Sequence, residues 1–254
     1  MRKSVVLFGV SLVAGSTWVN AQNAVVNWTT RAEAGFVAAR GNTVTETANA
    51  KFEITRETQN WKNFFGASGL YGRASDVESA QRWDARYQLD NFIRSNTFWF
   101  VGGRYEDDRY SGFDYQATAT AGLGRRWFDT ELTKLSTQLG VGYRSLRSEE
   151  LIRDEETDAV LARIPGESQQ DMVVNAAVTF EHSFNDSTKV LNSLLVESGE
   201  SNTLTRNDFA LQVKMMEALA LSVGFSVRNN SEPLPGLKKT DTLTTVNLVY
   251  SRTP

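Results

Sequence analysis

Arg82-Trp83-Asp84-Ala85-Arg86-Tyr87-Gln88-Leu89-Asp90 alternates without interruption: Trp83, Ala85, Tyr87 and Leu89 take one parity, and Arg82, Asp84, Arg86, Gln88 and Asp90 the other. A period of two belongs to an extended strand with one apolar and one polar face, because successive side chains of a strand point to opposite sides. Outward from this stretch the pattern recurs on both flanks. Upstream, Trp28, Thr30, Ala32, Ala34, Phe36 and Ala38 oppose Asn27, Thr29, Arg31 and Glu33, and Ala48, Ala50, Phe52 and Ile54 oppose Asn49, Lys51, Glu53 and Thr55. Downstream come the rows Phe113, Tyr115, Ala117, Ala119, Ala121, Leu123; Leu135, Thr137, Leu139, Val141, Tyr143; and Val174, Ala176, Val178, Phe180. Phe209, Leu211, Val213, then Leu221, Val223, Phe225, Val227, then Val246, Leu248, Tyr250 complete them. Phe64-Phe65, Phe98-Trp99-Phe100 and Leu194-Leu195 put apolar groups on both parities, which leaves register open there.

Twelve strands follow, at about 26–40, 43–57, 61–74, 80–93, 96–107, 113–127, 132–147, 169–184, 188–198, 203–214, 217–229 and 240–252. They are about twice the usual length of strands in a soluble sandwich. The connections sort into two populations. Short ones lie around Gln59, Ser95, Asp129, Asp186 and Met216; the others include 76–80, 108–112, 229–239 and an acidic loop over 149–168, with Gly41-Asn42 a short exception. An even number of long strands with short turns at one end and longer loops at the other describes a closed antiparallel up-and-down transmembrane β-barrel, all-β, with both termini on the short-turn side. Closure satisfies every backbone group in lipid. Trp28, Trp61, Trp83, Trp99, Trp127, Tyr71, Tyr87, Tyr105, Tyr143 and Tyr250 mostly fall near strand ends, where interfacial aromatic girdles belong.

The start of the chain agrees with a route out of the cytoplasm. Arg2 and Lys3 precede an apolar run over 5–14, and Val19-Asn20-Ala21 offers a signal-peptidase site. The run is about half of the roughly 20 residues a spanning helix needs. Residues 1–21 therefore read as a cleaved signal peptide and 22–254 as one outer-membrane barrel domain. The mature chain has 25 basic against 30 acidic residues, which gives no electrostatic case for nucleic acid. With no cysteine and one histidine, disulfides, thiolate metal sites and multi-histidine metal cages are excluded by count, and no cofactor is expected.

Gly41-Asn42-Thr43, Asp107-Asp108-Arg109-Tyr110-Ser111-Gly112-Phe113, Gly122-Leu123-Gly124 and the ending over 242–250 carry a family likeness. The sequence resembles the YdiY-like salt-induced outer membrane proteins, domain of unknown function 481, across nearly the whole mature chain. The resemblance implies an outer-membrane barrel and supplies no catalytic residues. Outer-membrane barrels commonly end in an aromatic residue, whereas this chain continues past Tyr250 through Ser251-Arg252-Thr253-Pro254. The partners implied are outer-membrane lipids and the barrel-assembly machinery, with the oligomeric state open.

The polar parity supplies the candidate site. It places Arg31, Glu33, Lys51, Glu53, Arg82, Asp84, Arg86, Asp90, Arg104, Glu106, Gln116, Lys134, Gln138, Arg144, Glu181, Arg206 and Asp208 on the lumen side, eight basic and seven acidic. Opposite charges so interleaved pair with one another, whereas an open selective pore shows one sign in excess. His182 shares the outward face of Val178, Phe180 and Phe184, which is the wrong side for a general base, and no enzyme is expected. Gly122-Leu123-Gly124 and Gly140-Val141-Gly142 lack the spacing and following helix of phosphate loops. The acidic loop lacks the central glycine of a calcium loop. Three functions fit: a narrow channel for small solutes, a structural or envelope-stress barrel with a salt-bridged closed lumen, and a soluble periplasmic barrel that turns the parities inside out around an apolar ligand.

Overall fold

Each strand pairs antiparallel with its neighbours in sequence, and the first closes on the last. In the computed structural model, residues 26–39, 45–74, 77–109, 113–154, 160–233 and 237–252 are described. The strands are β1 (Asn27–Ala39), β2 (Thr45–Glu57), β3 (Trp61–Ala74), β4 (Val77–Arg94), β5 (Thr97–Asp108), β6 (Phe113–Asp129), β7 (Thr133–Arg153), β8 (Val160–Ser183), β9 (Thr188–Gly199), β10 (Thr203–Lys214), β11 (Leu219–Asn230) and β12 (Thr240–Arg252). The expected signal peptide, Gly41-Asn42 and Pro254 lie outside the described residues.

Residues opposite one another in an antiparallel ladder share a face. One inward row runs Arg31, Glu53, Gly66, Arg86, Arg104, Thr118, Arg144, Asp171 across eight successive strands. It begins at the fifth residue of β1 and reaches the twelfth of β7, so the row climbs from the short-turn end toward the opposite end. This is the stagger that strand tilt imposes on a closed sheet. The seam between β1 and β12 runs from Thr30 opposite Arg252 to Ala34 opposite Leu248. Asn247 reinforces it, donating to Glu33 at 3.3 Å and accepting from Asn49 Nδ2 at 3.0 Å across the space left by Gly35.

The outer face is apolar. Leu139 is 63 % exposed, Phe36 66 % and Met172 74 %. That overturns the soluble alternative, which needed these rows to line an interior: an isolated water-facing surface of this composition would expose far more contiguous apolar area than monomeric soluble proteins carry. Trp61 and Tyr71 stand ten residues apart on the outer face of β3, roughly 25 Å along the axis of a strand tilted about 40°, the height of a lipid-facing belt. Trp61 meets Trp99 edge-on at one end, and at the other Tyr105 stacks on Tyr115 and meets Trp83 at a tilt. Tyr87 departs from the expected girdle. It sits mid-strand and donates to Asn63 at 2.8 Å.

Two further expectations need correction. The acidic loop over 149–168 is largely ladder: β7 and β8 stay paired from Glu149 opposite Pro165 to Arg153 opposite Val160. Backbone pairing runs the length of this ribbon, and Ile152 and Leu161 lie exposed on it. Phe113, expected on the outer row, is buried inside, because a register shift between Phe113 and Tyr115 turns it to the other face.

Candidate functional site

Inward arginines and carboxylates from facing walls meet across the lumen. Arg228 on β11 pairs with Glu106 on β5, and Arg206 on β10 approaches Asp84 on β4 at 3.7 Å. In a ring of twelve, both pairs join diametrically opposite strands. Arg104 extends the first pair by binding Glu106 at 2.8 Å and Glu197 of β9. Arg206 also binds Asp208 at 2.9 Å, and Asp108 receives Arg82 and Arg228, each at 3.7 Å.

The reach of these pairs fixes the shape of the interior. A circular ring of twelve strands would be roughly 24 Å across at a tilt of about 40°. An extended arginine and a glutamate in contact span roughly 15 Å between their Cα atoms. Opposite walls therefore approach one another, and the cross-section is pinched where the pairs sit. Burial agrees: Glu106 is 3 % exposed, Arg228 5 % and Arg144 0 %. Charges buried so deeply stay ionised only when paired, and removing one partner typically costs about 3–5 kcal/mol.

Below and above this layer the lumen is also filled. Toward the short turns, Glu53 receives Arg86 at 2.6 Å and Lys51 at 3.0 Å, Arg31 binds Glu33 at 2.6 Å and Gln212 at 3.2 Å, and Arg126 bridges to Glu57 at 2.7 Å. Gln88 donates to Asp90 at 2.7 Å and to Gln138 at 3.1 Å. Toward the other end, Arg144 binds Asp171 at 2.8 Å and the Asn202 carbonyl at 2.8 Å, closing the β9–β10 turn over the lumen. A cavity of about 370 Å³ opens at the short-turn end beside Lys189, Lys214 and Val249, with Arg31 and Gln212 among its lining residues.

Phe98 and Phe100 are 5 % and 1 % exposed inside the lumen. They resolve the ambiguous aromatic run, since Trp99 faces out. A methyl group on Gly140 would come within 2.9 Å of the Phe100 ring, and one on Gly124 would overlap Phe98. Gly124 and Gly140 thus make room for aromatic rings from β5, whereas a methyl group on Gly122 or Gly142 would meet the neighbouring strand, at Leu139 and at Ala119 and Thr120.

A family model described as "Protein of unknown function, DUF481" matches residues 32–251. The chain belongs to this family. It is similar to the uncharacterized protein YdiY of Escherichia coli (strain K12), 27 % identical over 224 residues, which covers 86 % of this chain and 81 % of YdiY. Among solved structures it is similar to the NanC porin, at 11 % identity and a TM-score of 0.45 over 88 % of this chain and 99 % of that one. It is also similar to an outer membrane channel from Pseudomonas putida F1, at 8 % identity and a TM-score of 0.45 over 91 % and 95 %.

In this DUF481 chain the interior charges divide by depth. Asp84, Arg104, Glu106, Arg144, Arg206 and Asp208 sit in the pinched layer or above it, and Arg31, Glu33, Lys51, Glu53, Arg86 and Asp90 lie below. Glu181 binds Lys189 at 3.2 Å near the short turns, where Lys134, opposite it in the ladder, is exposed. Arg228, Glu197, Asp171 and Arg126 join the expected lumen residues, and Arg228 carries a sequence signal for it, since it shares the polar parity of Ser222 and Ser226. His182 faces outward between Phe180 and Phe184, and its Nδ1 shares a 2.8 Å hydrogen bond with the Thr133 hydroxyl rather than with a carboxylate.

Proposed function

We propose that this chain is an outer-membrane barrel whose lumen is held shut by a layer of ion pairs between opposite walls, making it a closed envelope barrel in its resting form. The observation that carries the reading is the pairing of diametrically opposed strands through Arg228–Glu106 and Arg206–Asp84, with Glu106 and Arg228 almost wholly buried. The apolar outer belt supports the membrane setting, with the short turns toward the periplasm as in other barrels of this topology. Insertion there requires the barrel-assembly machinery. No residue is assigned a catalytic role.

A narrow, gated channel for small solutes is the second reading. Its support is that the plug is polar: Gln116, Asn175 and Arg228 each keep buried polar atoms without a hydrogen-bond partner, groups that water can serve once the walls part. Planar-bilayer recording separates the two. Correctly folded wild-type protein is expected to be silent, and the Arg206→Ala/Arg228→Ala double variant to show discrete conductance steps. Steady steps from wild-type protein would overturn the closed reading in favour of the channel.

A further inference from the structure

The apolar belt is interrupted midway up the wall formed by β9 and β10. Asn192 stands opposite Phe180 and Phe209, and Asn207 opposite Leu194 and Val227, so both amides point outward. Each is the fifth residue of a twelve-residue strand, and the two strands run in opposite directions. The side chains therefore meet diagonally near mid-height. The outward amides Asn63, Asn91 and Asn229 are placed differently, within four residues of a strand end. There Asn63 accepts from Tyr87, and Asn91 and Asn229 donate to the Asn60 carbonyl and the Thr240 hydroxyl.

Hydrocarbon offers a mid-belt amide nothing to bond to, which is why polar side chains at that depth mark protein contacts or functional paths. Asn192 and Asn207 meet part of the requirement themselves, with reciprocal bonds of 3.2 and 3.3 Å, and the Asn192 amide also reaches the Asp208 carbonyl at 3.5 Å. An amide has two donors and an oxygen with two lone pairs. These bonds leave one N–H on Asn207 and a lone pair on each oxygen. A spare donor and a spare acceptor on one patch are self-complementary: a twofold-related copy offers its acceptor to this donor and takes this acceptor with its own donor. Lipid chains can do neither.

We infer that two copies of this chain associate in the bilayer through the outer face of β9 and β10, with their Asn192–Asn207 pairs exchanging hydrogen bonds across a twofold axis. The inference rests on the belt facing lipid. Interhelical amides in membranes act in the same way, as bonds gained where the surroundings supply none.

The chain has no cysteine, so a single introduced thiol reports proximity without background. Leu194→Cys places it beside the amide pair and keeps both asparagines; Leu139→Cys on β7 is the control on a distant part of the belt. Full-length protein in membranes isolated by flotation is oxidised and run without reductant. A disulfide-linked species of doubled mass is expected at least fivefold more abundant for Leu194→Cys than for Leu139→Cys. With the thiols absent, Asn192→Leu/Asn207→Leu is expected to shift the mass in mild detergent from two chains to one while heat-modifiable migration persists. Equal cross-linking at both sites, a product with a different protein, or a leucine variant that stays dimeric overturns the inference. If no variant floats with membranes, the membrane reading falls as well; if all float and Leu194→Cys stays monomeric, only the dimer does.

Discussion

Gly124 on β6 holds a place for the ring of Phe98 on β5, directly across the ladder. A branched side chain there forces the ring off its rotamer or the strands apart, and overpacking of this kind typically costs about 1–3 kcal/mol. Gly124→Val is expected to lower the unfolding free energy by that amount in urea titrations of vesicle-reconstituted protein, followed by tryptophan emission. Adding Phe98→Ala to Gly124→Val should recover part of the loss, because residues in contact do not act additively; full additivity would mean the two do not share the hollow. The pair also shows what a linear reading can and cannot reach. Parity alone put Arg104 and Glu106 inside, since each has polar residues two positions along. It could not assign Phe98 and Phe100, because the reason they face inward is a set of glycines on β6 and β7. It likewise could not say that Arg228 meets Glu106: that partnership depends on how far the ladder climbs between β5 and β11, a property of the closed ring that no local window contains.

At the scale of elements, the β7–β8 ribbon outgrows the barrel. β6 starts at Phe113, opposite Ser148, and β9 ends at Gly199, opposite Val173, so among the described residues no outer strand pairs with the ladder beyond those positions. Alternation weakens there because neither lipid nor lumen selects a face, which is why the sequence of this stretch reads as an acidic loop while its backbone pairs. A free two-stranded ribbon adds little stability of its own. Replacing residues 150–165 with a short turn is expected to leave the folded barrel intact, with the midpoint of urea unfolding changed by less than about 1 kcal/mol equivalent. Heat-modifiable migration of the shortened chain checks it; failure to fold would show that the ribbon is needed to close the barrel rather than extending from it.

For the whole molecule, the decisive question is what the outer belt touches, because a sheet that seals its interior with charge and coats its exterior with Leu139, Phe36 and Met172 is stable only where hydrocarbon surrounds it. The belt makes a depth-dependent prediction that no soluble barrel shares. Leu139 lies mid-strand on β7, while Phe184 stands in the short turn after β8, and both are strongly exposed, 63 % and 60 %. In water the two positions would accept an arginine about equally, since neither packs against much. In a bilayer they differ: an arginine at the midplane of a barrel wall costs about 2–4 kcal/mol, and one at the interface about 0–1 kcal/mol. Leu139→Arg is therefore expected to destabilise the vesicle-reconstituted protein by about 2–4 kcal/mol and Phe184→Arg by less than about 1 kcal/mol, both measured by urea unfolding. Comparable effects at the two sites would mean that Leu139 and the residues level with it do not face lipid.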